Sequence, residues 1–148
     1  MSEPAHVLVV AHQTAATPDL LDAVRARARQ GDAAFHLVVP RQAHGMHRVV
    51  DPQDAGEDEA QQVLDVALPK LSEAAGSRVT GNLGDSEPLM AIHDAINLGG
   101  HDEIIISTLP LGMSRWLKLD LISKARALGL PVTHVQARSV ESEAGAQL

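Results

Sequence analysis

Ser114, Arg115 and Lys118 form a basic cluster inside a long, mostly apolar segment, Thr108 to Leu119. An arginine can hold a phosphate or carboxylate through two parallel hydrogen bonds. The segment leads into a predicted helix, whose first amides also favour an anion. The competing reading folds the same segment onto the sheet edge or a subunit partner through Leu109, Leu111, Met113, Trp116 and Leu117. It is too apolar to be freely solvated, so part of it has to be covered. Ser107 and Thr108 precede it and are placed to meet a ribose or a catalytic intermediate. No G-x-S-x-G elbow and no acid–base partner accompany them. His12, Gln13 and Thr14 follow a first apolar run that ends at Ala11. His12 is a candidate ligand contact; otherwise its ring bonds a turn carbonyl. Val39 closes the second apolar run. Gly84 and Asp85 close the third, on the rim of the same region, where Gly84 suits a turn.

Other chemistry is weakly supported. His44 and His47 stand i, i+3 and, with Asp51 or Asp54, resemble a metal set. Gly45 argues against the helix that this spacing needs, so no metal is expected. His36, His93 and His134 fall on predicted strands and a helix face and read as structural. There is no P-loop, no dinucleotide-binding glycine pattern and no carboxylate pair placed on one face. Binding without turnover is therefore favoured over an enzyme.

Local sequence patterns position these residues. His6–Ala11 and Ala33–Val39 are short continuous apolar runs, as expected for parallel strands buried on both faces. Glu103–Ser107, with three consecutive isoleucines, is a third such run. Val79–Leu83 is a weaker strand with a glycine inside, and Pro131–Gln136 is the last. Helices are predicted between them. The first has Thr17 as N-cap, Pro18 and Asp19 in its first turn, and Arg25, Arg27 and Arg29 on a solvated face. The second runs from about Glu57 to Ala75, with Pro69 expected to kink or split it. The third is capped by Ser86. The last carries Leu121, Ile122, Ala125 and Leu128 on one face. Arg41–Gly56 lacks periodicity and reads as a loop. Strands alternating with helices imply an open parallel sheet covered on both faces. Right-handed crossovers give the strand order 3-2-1-4-5. The switch point then lies between strands one and four, the usual place for a ligand in such sheets. About a dozen residues separate strand four from the last helix, against the two to six usual for such connections. Residues 1–137 are expected to form one domain and 138–148 a frayed tail.

Composition narrows the partners. Twelve basic residues against 19 acidic ones give a formal charge of −7, which disfavours nucleic acid and anionic membranes. Trp116 and Phe35 are the only aromatics besides histidine, so base-stacking platforms are missing. With no cysteine, disulfides and thiolate chemistry are excluded. No signal peptide or membrane span is visible, and a cytoplasmic protein is expected.

The layout resembles the universal stress protein family. Val7–Ala11 (VLVVA) is similar to that family's first strand. Gly84-Asp85 with Pro88 and Ala91-Ile92 is similar to its segment after strand three. Residues 102–107 (DEIIIS), Ser114-Arg115 and residues 129–135 (GLPVTHV) are similar to its strand four, loop and final strand. The resemblance implies ATP or AMP as ligand and a homodimer joined through the last strand. Nucleotide-binding members place an aspartate at the end of strand one, where this chain has Ala11-His12. They carry a G-x-x-G loop followed by Gly-Ser or Gly-Thr, where this chain has a single glycine, Gly112, and then Leu119-Asp120. A carboxylate there opposes a triphosphate by simple repulsion. The resemblance thus implies a member without the usual ATP-binding glycine motif. The expectation is a non-catalytic module holding a nucleotide or small anion among Ala11–Thr14, Val39, Gly84, Asp85, Ser107, Thr108, Ser114 and Arg115. The alternative is an interaction protein using residues 109–117 as its dimer or partner interface, and the second alternative is an enzyme acting on a nucleotide or phosphorylated metabolite.

Overall fold

The computed structural model describes residues 4–41, 52–110 and 112–138. His44, His47 and Asp51 of the metal-like set lie outside these residues, as do Leu111 and the tail from 139 onward. The strands β1 (Ala5–Val10), β2 (Ala33–Pro40), β3 (Thr80–Gly84), β4 (Glu103–Thr108) and β5 (Val132–Gln136) form one sheet in the order β3-β2-β1-β4-β5. Every pairing is parallel. This is the predicted architecture.

Both faces of the sheet are dry because alternate side chains of each apolar run serve opposite layers. Val7, Val9, Phe35, Leu37 and Ile105 pack under α1 (Pro18–Gln30) and α2 (Pro52–Ala75). Leu8, Val10, Val38, Ile104 and Ile106 pack under α3 (Pro88–Gly99) and α5 (Leu121–Arg126). Leu8, Val9 and Val10 are completely enclosed, as a central strand requires. Each such side chain contributes about 1.5–3 kcal/mol on leaving water, so these runs dominate the choice of fold.

Several local details differ from the sequence expectations. Arg27 is not on a solvated face. It stands at the end of α1 beside the start of β4, and its guanidinium donates to both carboxylate oxygens of Glu103, at 2.8 and 3.1 Å. Thr17 occupies the N-cap position of α1, yet its hydroxyl donates to the Thr14 carbonyl instead of capping. The second helix begins at Pro52 and continues through Pro69 without splitting. Pro69 lies on the exposed face, where water can satisfy the Asp65 carbonyl that a proline cannot bond. Arg138, expected in the frayed tail, is tied to α1: its amide and Nε donate to the two Asp19 oxygens at 3.0 and 3.1 Å.

The segment between β4 and the last helix contains a further single-turn helix, α4 (Arg115–Lys118). Ser114 starts it by accepting a hydrogen bond from the Leu117 amide at 3.2 Å. Trp116 and Leu117 are thereby laid against the core on the α5 side. Asp120, at the junction of α4 and α5, is the one non-glycine with positive φ among the described residues, at 58°. The resemblance matches Leu119-Asp120 to a Gly-Ser or Gly-Thr pair; Leu119, at the glycine position, has φ −87°, and the left-handed conformation falls on Asp120 instead.

Candidate functional site

The carboxyl ends of β1 and β4 splay apart in opposite crossover directions and leave a cavity of about 260 Å³ between them. The turn after β1 supplies His12, Gln13 and Thr14; β4 and its loop supply Ser107, Thr108 and Leu109. Met113, Ser114, Arg115 and Trp116 close the side above α4, while Pro40, Arg41 and Ser86 form the opposite rim. The two predicted halves of the site therefore face each other as the strand order requires.

Buried hydroxyls line the floor. Thr14 Oγ1 and Ser107 Oγ share a hydrogen bond of 2.6 Å across 93 residues of sequence. Thr108 Oγ1 is 2.8 Å from His134 Nε2 on β5, so Thr108 has the acid–base neighbour that no local motif revealed. Ser114 is buried and committed to capping α4. Arg115 is exposed at the mouth and has no ion-pair partner among the described residues, whereas Lys118 is exposed and lies outside the lining. Arg41 donates from both its amide and Nη1 to the Gly84 carbonyl, at 3.0 and 3.1 Å. His12 Nε2 is buried with no partner among the described residues. Burial pushes the His12 pKa below the ordinary imidazole value, against a smaller opposing pull from Glu59. At neutral pH this side chain is uncharged.

Four of the predicted site residues lie elsewhere. Ala11 and Val39 are fully enclosed in the core beneath the cavity and offer it no surface. Gly84 and Asp85 line a second hollow, beside α3. Gly84 does not have positive φ, so its role is not a strained turn. A Cβ there would lie 2.7 Å from Val38 Cγ1 and 2.8 Å from Ala91 Cβ; glycine is needed for α3 to approach the sheet. Ser86 does not cap α3: Glu87 holds the N-cap position without a side-chain cap bond, and Asp85 Oδ1 accepts from the Glu87 amide at 2.8 Å in the turn before the helix. Ser86 is left to face the cavity. Sequence reasoning missed Pro40, Arg41 and Ser86, and it read Leu109, Met113 and Trp116 as covered surface, not as cavity wall.

The second hollow, about 580 Å³, is lined in part by His6, His36 and His101. His36 is bonded through Nδ1 to Thr80 Oγ1 at 2.7 Å and through Nε2 to Asn82 Oδ1. Among the described residues no three histidine or carboxylate side chains gather to hold a metal ion. Burial lowers the pKa of His101, with help from the neighbouring His36 and His6, and also that of His134, with help from Arg126.

These three depressed imidazoles set the sign of a pH effect. In the unfolded chain they take protons near pH 6.5; in the folded protein His12, His101 and His134 resist until lower pH. The unfolded state therefore binds more protons below pH 6.5, and stability drains away as pH falls. Urea midpoints measured at pH 7.5 and 5.5 should be lower at 5.5. An unchanged or higher midpoint at 5.5 would contradict the burial of these rings.

A parallel 3-2-1-4-5 sheet with helices on both faces and a hydroxyl-lined cavity at its switch point is a doubly wound α/β fold. Comparison with solved structures gives that fold a family: it is the universal stress protein fold. A universal stress protein family structure from Burkholderia pseudomallei superposes with a TM-score of 0.64 at 21% identity, covering 90% of this chain and 96% of that one. A universal stress protein from Archaeoglobus fulgidus gives 0.63 at 18% identity, covering 88% and 93%. The Archaeoglobus fulgidus universal stress protein in complex with dAMP gives 0.60 at 17% identity, covering 91% and 99%. At such identities the likeness is one of fold. The chain matches no family model and no curated protein sequence.

Proposed function

We propose that this protein is a universal stress protein-like regulatory module that binds a nucleotide or small oxyanion, without turnover, in the cavity between the β1 and β4 loops. The observation that carries the reading is that Arg115, with no ion-pair partner among the described residues, lines one cavity with buried hydroxyls at the switch point. The dAMP complex among the structures of this fold supports the same class of ligand. A volume of about 260 Å³ is at the small end for a small-molecule site. It suits a mononucleotide such as AMP, or a free anion, better than ATP. A cytoplasmic homodimer accompanies the reading: among the described residues β5 ends the sheet with no strand on its outer side, and such edges invite pairing with a second copy. The loop-interface alternative is less well supported, because Trp116 and Leu117 pack on the chain's own core and, of the described apolar side chains in that stretch, Met113 is the one largely outside, at 56% exposure.

Titration with AMP, ATP and inorganic phosphate tests the proposal. Trp116 is the sole tryptophan and lines the cavity, so its fluorescence reports occupancy. Arg115→Ala should weaken AMP binding about tenfold or more, the loss expected when a charge-assisted contact worth at least about 1.4 kcal/mol is removed. Unchanged affinity in that variant, or calorimetry showing no binding at millimolar nucleotide, would reject it.

A further inference from the structure

We propose that the cavity takes up its oxyanion together with one proton, and that His12 is the residue that accepts it. This rests on the reading of the cavity as an anion site. It adds how that site is regulated and what distinguishes its ligands.

The geometry supplies the argument. His12 projects from the turn after β1 into the cavity wall, and its Nε2 is buried without a partner among the described residues. Buried polar atoms are nearly always bonded, so this ring keeps a bonding capacity that no group among the described residues fills, at a position that lines the cavity. The neighbouring hydroxyls do not compete for this role. Thr14 and Ser107 are bonded to each other, Thr108 to His134, and Ser114 to the Leu117 amide. Among the described residues His12 Nε2 is thus the one buried side-chain polar atom of the lining residues that lacks a hydrogen bond.

An oxyanion offers only acceptors. A neutral imidazole can meet it through an N–H, but an imidazolium meets it with a charge-assisted bond, roughly twice as strong. A negative charge within a few ångströms also favours the protonated ring. The charged groups around His12 are few. Glu59 of α2 pulls in the same direction as the anion. Arg41 after β2 and Arg115 at the start of α4 are the cationic side chains that line the cavity with His12. Gln13 and Thr14 from the same turn, and Ser107 and Thr108 from β4, are uncharged. Without an anion, burial keeps the ring neutral; with one, the balance shifts toward the proton. Binding and protonation are then linked, and affinity rises as pH falls.

Sulfate is the appropriate probe, since it stays a dianion across the working range and contributes no titration of its own. Its affinity, followed by Trp116 fluorescence and calorimetry, should tighten about tenfold or more between pH 7.5 and 5.5. Calorimetry in two buffers of different ionisation enthalpy should show uptake of up to one proton per sulfate near pH 6.5. His12→Gln keeps a polar side chain that cannot take the proton, and should reduce the pH effect to less than twofold. The proton-uptake measurement needs no variant, so it stands even if His12→Gln folds poorly. Sulfate binding that Arg115→Ala weakens, but that is flat with pH and free of proton uptake, would overturn the role of His12 and leave the anion site standing. No sulfate binding by the wild type at either pH would overturn both.

Discussion

Gly84→Val should cost about 3 kcal/mol of folding stability, and Gly84→Ala about 1–2 kcal/mol, the range for forcing extra atoms into a packed core. The reason is distance. A Cβ at this position falls 2.7 Å from Val38 Cγ1 and 2.8 Å from Ala91 Cβ. Val38 and Ala91 are both buried, at 1% exposure each, and a methyl fixed to a helix backbone cannot rotate away. The helix α3 must lift instead. That movement reaches the cavity, because Arg41 holds the Gly84 carbonyl through two donors and Ser86 follows two residues later, and both line the rim. The valine variant should therefore lose ligand affinity as well as stability, although Gly84 itself does not line that cavity. Urea unfolding of the two variants beside wild type gives the measurement. An alanine variant within about 0.5 kcal/mol of wild type, inside the ordinary scatter of surface substitutions, would mean that α3 is not held at this distance.

Gly84 also shows where sequence reading stops. The continuous runs at β1, β2 and β4 reveal strands covered on both faces, and alternation with helices then dictates the order β3-β2-β1-β4-β5. Once that order is known, the loops after β1 and β4 must confront each other, and so His12, Thr14, Ser107, Thr108, Ser114 and Arg115 were legible as one site. What was hidden depends on distances that no local pattern encodes. Whether Gly84 serves a turn or a close helix contact depends on how near α3 sits. Whether Ser86 caps α3 or faces the cavity depends on where the helix begins, and the turn that Asp85 closes onto the Glu87 amide puts Glu87 at the N-cap position instead. Thr108 and His134 lie 26 residues apart and meet only through the β4–β5 register, in which Ile106 stands opposite His134. Arg41 follows an unremarkable strand end, and its bonds to the Gly84 carbonyl on the neighbouring strand are not encoded in any local pattern. The arginine series of α1 misled for the same reason: helical spacing placed Arg27 on a polar face, but the start of β4 brings Glu103 against that face.

Ser107→Ala should destabilise the fold by about 2 kcal/mol, because it leaves the Thr14 hydroxyl buried without its partner. The two side chains are 1% and 2% exposed and their oxygens are 2.6 Å apart, so water is not at hand to replace the lost bond. Thr14→Val should cost a similar amount by orphaning Ser107. The double variant removes both hydroxyls at nearly constant shape and should recover much of the loss, giving a coupling energy of about 1–2 kcal/mol in a double-mutant cycle. The cycle also separates structure from function. This bond ties the turn carrying His12 to the end of β4, so either single variant should loosen the cavity and weaken AMP binding. If the hydroxyls act only as a tie, restoring stability in the double variant restores affinity too. If they also contact the ligand, the double variant folds well and still binds about tenfold or more weakly, as expected when a site loses polar contacts to its ligand. The proposed function expects the second result. Additive stability losses, with no recovery in the double variant, would show that the two hydroxyls are not partners at all.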